Sequence, residues 1–188
     1  KAFNDIVPEC EVHSLPLSDG GEGLTEVLVN HLGGRYHTID AFDPLMRPIK
    51  VQFGAVGRCA IIEMATAAGL TLLSEEERNP MNTTTYGVGV MMQAALDLGY
   101  RKMLIGIGGS ATNDGGLGTL TALGYKMIKK DGTIAKGVGA ELGELVSIDD
   151  SNAIDISGVK FVILSDVTNP LTGEKGATRV FAKQKGAT

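Results

Sequence analysis

Cysteine is scarce: Cys10 and Cys59 are the only two in 188 residues. They lie far apart and match no metal-ligand spacing, which argues against a disulfide-stapled secreted scaffold and against a zinc site. Each reads as a small buried thiol. The three histidines, His13, His31 and His37, stand in unrelated contexts and read as packing or surface residues. With no Ser-His-Asp pattern and no Cys-His pair, covalent catalysis has no candidate nucleophile. No apolar run reaches the roughly 18 residues of a membrane span. Lys and Arg nowhere cluster, and the net charge is −5, which argues against a nucleic-acid partner. An initiator Met, a signal peptide and a tag are all missing. Residues 1–7 read as the last turns of a helix already under way, and residues 184–188 stop without a terminator. The expectation is a piece of a longer polypeptide.

What remains is an ordinary soluble composition, 43% hydrophobic and 21% charged, in a chain able to bury a real core as one domain or two small ones. Glycine is the exception. There are 26 in the chain, nearly twice the usual share of about 7%. They follow no collagen-like period and form no low-complexity tract, so they belong to turns.

The pattern Asp-Gly-Gly-x-Gly occurs twice, at Asp19–Gly23 and at Asp114–Gly118. Each copy follows a strand-like run and opens a helix-like one. A third strand, Phe161–Leu164, runs into the acidic loop Ser165–Pro170. Glycine lets a ligand approach the backbone, and a helix start offers free N–H groups to an anion. Three such turns suggest a pocket for Mg²⁺ and phosphate.

Along the chain, strands are expected at 11–17, 36–41, 49–56, 59–64, 102–107 and 160–164. Helices are expected at 21–32, ended by Gly33-Gly34, at 85–98 with the apolar stripe Val88, Met91, Met92, Ala95 and Leu98, and from Asp114 through Leu123. Ser74–Glu77 has capping-box spacing ahead of Pro80. Lys130–Gly132 reads as a hairpin-type turn, and 140–145 as a short helix. Strand–loop–helix units at both ends favour α/β architecture, while consecutive middle strands favour an antiparallel or mixed patch.

The loop Gly106–Gly116 is the densest chemical stretch, with backbone donors, Ser110, Thr112, Asn113 and Asp114. It is no Walker A loop, because no Gly-Lys-Ser/Thr follows. Gly106, Gly108 and Ala111 match a loose dinucleotide pattern, but Asp114 would bring negative charge to a pyrophosphate. A dinucleotide-binding oxidoreductase domain is therefore the weaker alternative. Mg²⁺ between carboxylate and phosphate removes the conflict. Asp166 lies just beyond a strand end, where α/β sheets place ligands, although such residues also form Asx-turns. Asp19 repeats the Asp114 context, whereas Glu22 reads as a helix-dipole partner. Thr83–Thr85 beside Asn79 and Asn82 read as a helix cap with room for a phosphate contact. Carboxylates, hydroxyls and glycine turns fit metal-assisted phosphoryl transfer, in which positioning and charge neutralisation do the work.

Six stretches together resemble the bacterial glycerate kinases of the first type: Pro16–Gly23, Ile62–Ala65, Arg78–Pro80 with Thr83–Gly87, Gly106–Gly116, Ser165–Leu171, and Val180-Phe181 with Gln184–Ala187. They run nearly end to end in the family's order. The resemblance implies ATP-dependent phosphorylation of D-glycerate to 2-phosphoglycerate, with Mg²⁺ and in the cytoplasm. It implies two unlike α/β domains, one Rossmann- or flavodoxin-like and partial here (1–35), one mixed-sheet (36–188), with the site in the cleft between them. It implies roles as well: Asp166 and Asp114 as metal ligands or base, Asp19 as a third acid, and Gly108, Gly109, Ser110, Thr112, Asn113, Asn169 and Thr84 as substrate or phosphate contacts. The chain covers about half of a usual member, so a catalytically incomplete kinase fragment is a further alternative, as is a kinase for another hydroxy acid. A homo-oligomer stays open.

Overall fold

The computed structural model describes residues 5–13 and 15–187. The helices are α1 (Leu24–Leu32), α2 (Ala65–Ala68), α3 (Tyr86–Asp97), α4 (Leu117–Ala122) and α5 (Ala177–Phe181). The strands are β1 (Arg35–Phe42), β2 (Pro48–Val56), β3 (Cys59–Glu63), β4 (Lys102–Gly106), β5 (Lys126–Lys129), β6 (Leu145–Asp149) and β7 (Lys160–Leu164). Five strands form one sheet in the order β1-β2-β3-β4-β7, and β5 and β6 form a separate ribbon.

The first three strands are antiparallel neighbours, and β3-β4-β7 are parallel. This is the mixed α/β architecture the strand pattern implies. The β1–β2 connection is set by Asp43, whose buried carboxylate accepts the N–H groups of Leu45 at 2.8 Å and Arg47 at 2.9 Å and pairs with the Arg47 guanidinium. Alternate residues of β3 face opposite sides of the sheet. Ala60 and Ile62 join Phe53, Met91 and Met103 in the main core. Ile61 packs with Leu24 and Val29 of α1 on the other side. Helices thus cover both faces, and the Met91-Met92 pair is core as expected.

Several expectations need correction. Residues 11–13 and 15–17 form no strand. Val12, Leu15 and Leu17 are 51%, 73% and 89% exposed, so the alternation finds no sheet neighbour among the described residues. Residues 1–4 of the expected first helix lie outside the described residues, and residues 5 and 6 are helical. The next helix starts at Leu24 rather than Gly21, because Gly23 sits in the left-handed region at φ 85°. Ser74–Glu77 makes a turn only: Glu77 accepts the Ser74 N–H at 3.0 Å but also binds Arg47 at 2.7 Å, and no helix follows. Leu98 falls beyond the end of α3 and is exposed, and Leu96 takes the core position. Cys10 and Cys59 are half-buried free thiols rather than buried ones. No helix among the described residues is long and apolar enough to cross a membrane.

Candidate functional site

The carboxyl ends of β4 and β7 lie side by side, with Gly106 opposite Leu164. The Asp19 turn packs directly against both. Gly108 N–H donates to the Gly20 carbonyl at 3.1 Å. A Cβ on Gly108 would lie 2.6 Å from the Gly21 Cα, and one on Gly20 would lie 2.9 Å from the Leu164 carbonyl. Only glycine permits that approach. The loose dinucleotide pattern therefore has another use: Gly108 makes room for the neighbouring turn rather than for a pyrophosphate.

The result is a cleft of about 540 Å³ whose lining includes Asp19, Gly108, Gly109, Ser110, Asn113 and Asp166. Six residues picked out in the sequence meet there. Asp19 and Asp166 are both exposed. Asp19 Oδ1 accepts the Gly21 N–H at 2.9 Å, which fixes its orientation. Asn113 Oδ1 accepts from the Thr178 hydroxyl at 3.2 Å, leaving the amide N–H groups as donors.

Asp114 does not join them. It is 2% exposed. Its Oδ2 accepts from Thr85 N at 2.8 Å, Thr85 Oγ1 at 2.8 Å and Gly118 N at 3.1 Å, and its Oδ1 accepts from Gly116 N at 3.1 Å. Those bonds cap α4 and tie it to the start of α3. The expected Asp166–Asp114 ligand pair is thus not brought together, and it is Asp19 that shares the cleft with Asp166. Thr84 is 1% exposed and its Oγ1 accepts the Tyr86 N–H at 3.2 Å. Thr83 Oγ1 donates to the Ala111 carbonyl at 3.1 Å. The threonine cluster is therefore buried scaffolding. Thr112 is buried, and Asn169 Nδ2 holds the following turn by donating to the Lys175 carbonyl at 2.9 Å.

The N-terminus of α1, expected to be free for an anion, is already capped. Glu63, 8% exposed at the end of β3, accepts Gly23 N and Thr25 N at 3.1 Å each. Glu22 lies before the helix, where its Oε1 accepts from the Thr71 hydroxyl at 3.3 Å.

Lys185 was given no role in the sequence, yet it lines the cleft. Its Nζ donates to Ser110 O at 2.8 Å, Ser110 Oγ at 2.6 Å and Thr112 O at 2.9 Å. Burial lowers its pKa from the ordinary lysine value of 10.5 to about 8, opposed by the negative charge of Asp114. The signal available beforehand was a single lysine next to Gly186 within the quoted Gln184–Ala187 stretch.

Among the described residues no three His, Cys, Asp or Glu side chains gather as a metal cage. The donor set at Asp19 and Asp166 nevertheless suits Mg²⁺, which takes one or two carboxylates and completes its shell with phosphate oxygens and water.

A family profile described as Glycerate kinase family matches residues 1–188. The chain is 45% identical over 191 residues to the glycerate kinase of Bacillus subtilis (strain 168), covering 100% of this chain and 50% of that protein. It is 40% identical over 196 residues to the glycerate 2-kinase of Escherichia coli (strain K12), with the same coverage. The crystal structure of a protein provisionally named glycerate kinase 2, from Salmonella typhimurium LT2, superposes with a TM-score of 0.87 at 42% identity, covering 99% of this chain and 50% of that one. The chain thus spans about half the length of the curated relatives it matches.

Proposed function

Because the chain belongs to the glycerate kinase family, we propose that the protein phosphorylates D-glycerate from Mg-ATP, at the 2-hydroxyl, in the cleft at the ends of β4 and β7. One observation carries this reading: Asp19 and Asp166, far apart in sequence, line one cleft with the Gly108–Asn113 loop. In the reaction the glycerate hydroxyl oxygen bonds to the γ-phosphorus, the bond from that phosphorus to the β–γ bridging oxygen breaks, and ADP leaves. Asp166 takes the hydroxyl proton. Asp19, held by the Gly21 N–H, is the fixed cation ligand. Ser110 and Asn113 face the substrate's carboxylate or the phosphate oxygens. Bound Mg²⁺ neutralises and orients the phosphate oxygens. The same reading includes a cytoplasmic location and a second, Rossmann- or flavodoxin-like domain to which residues 1–35 belong.

The test is a coupled ADP-release assay on the full-length protein. Asp166→Asn should lower kcat about 100-fold or more, the usual contribution of a positioned base. Asp19→Asn should raise the Mg²⁺ concentration needed for half-maximal rate about tenfold. Wild-type turnover in both variants would remove the cleft from the chemistry.

A further inference from the structure

Lys185 is the sole lysine in the fully buried class among the described residues, at 8% exposure. It ends the short 3₁₀ turn Lys183–Lys185 that follows α5. An ammonium group has three N–H donors, and here all three are committed, two to Ser110 and one to Thr112. It is also the one basic residue lining a cleft whose acids are Asp19 and Asp166. Gly186 backs onto the Arg78 carbonyl with no room for a side chain, which fixes where Lys185 starts from.

A lysine with every donor used has none left for a ligand. Its effect passes through the groups it holds. The two carbonyls it binds belong to the stretch whose Ser110 and Asn113 line the cleft, and its charge lies 2.6 Å from the Ser110 hydroxyl oxygen. We propose that Lys185 is a positioning residue: its three hydrogen bonds shape the Ser110–Asn113 stretch into the wall that receives the anionic end of the substrate, phosphate or carboxylate. The catalytic half of this inference rests on the kinase reading above, whereas the loop-ordering half does not.

The alternative is that Lys185 merely anchors the C-terminal segment, and chemical rescue separates the two. In full-length Lys185→Ala, kcat/KM for D-glycerate should fall about 100-fold, as expected when a substrate wall shifts by an ångström. Added n-propylammonium should restore about tenfold or more, and 1-propanol, of the same size without charge, should restore nothing. Amide hydrogen exchange at residues 108–113 should speed up in Lys185→Ala and in the length-matched Lys185→Met, and slow again in Lys185→Ala with n-propylammonium. Turnover of Lys185→Met within about threefold of wild type would overturn the proposal, as would equal rescue by the alcohol. If the wild-type protein does not phosphorylate glycerate, the kinase reading falls, and the exchange data alone decide: unchanged protection at 108–113 ends the role of Lys185. If Lys185→Ala fails to fold, Lys185→Met supplies the same exchange comparison.

Discussion

The turns Asp19–Gly23 and Asp114–Gly118 have the same pattern but different helix starts: Gly20 and Gly115 both take positive φ, at 96° and 63°, yet α1 begins at Leu24 and α4 already at Leu117. Gly23 and Gly116 both precede their helices in the left-handed region, at φ 85° and 80°. Their acids have opposite fates. Asp114 turns inward and caps its own helix with Thr85 as a second partner. Asp19 stays exposed, set back further from its helix than Asp114 is, and Glu63 reaches over from β3 to cap α1. A glycine-rich acidic turn therefore specifies a bend and a helix start. Which carboxylate satisfies the helix, and which is left for a ligand, depends on how soon the helix begins after the acid and on what the neighbouring strand carries.

The contrast predicts a ranked set of stability changes, each read from chemical denaturation midpoints. Asp114→Asn comes first. It leaves four donors facing one amide in a buried site and should lose about 3 kcal/mol, while Asp19→Asn should stay within about 0.5 kcal/mol as an exposed change. Equal losses in the two variants would contradict the assignment of cap and free acid. Glu63→Gln should follow with a loss of about 1 kcal/mol, the usual size of a helix-cap contribution. Paired with Asp19→Asn it should be additive, since the two acids share no donor; a strong coupling would show that Asp19 caps α1 when Glu63 cannot.

A pH-dependent change concerns Lys185, beside the Asp114 turn. Its pKa is lowered on folding, to about 8 from 10.5. Between those values the unfolded chain binds more protons than the folded one, so this group's contribution to stability rises with pH through the window. Below about 8 the burden of burying the ammonium is present in full. The stability of wild type relative to Lys185→Met should therefore increase from pH 8 towards pH 10.5, and a flat or falling difference would show that the ammonium is not desolvated.

The sheet was legible because its core strands alternate plainly: Val51, Phe53 and Ala55 point inward along β2. The β5–β6 ribbon was missed, since Lys126, Lys129, Ser147 and Asp149 give it no apolar rhythm. At the site, Asp19, Asp166 and the Gly108–Asn113 loop were legible from strand-end glycine turns. Asp114 was read for the same work because its local motif is the same, and nothing nearby in sequence announces that Glu63 sits 38 to 40 residues from the N–H groups it caps. Lys185 was hidden for the same reason, 75 residues from the serine it binds.

Position within the sheet gives the cleft two walls of different stiffness. The Ser110 side hangs from β4, which is flanked by β3 and β7, while Asp166 follows β7, which among the described residues is bonded within the sheet to β4 alone. Outer strands open at lower free energy than inner ones. Under the kinase proposal, substrate entry and product exit would fall to the more compliant Asp166 side, and the Ser110 side would keep its register from one turnover to the next.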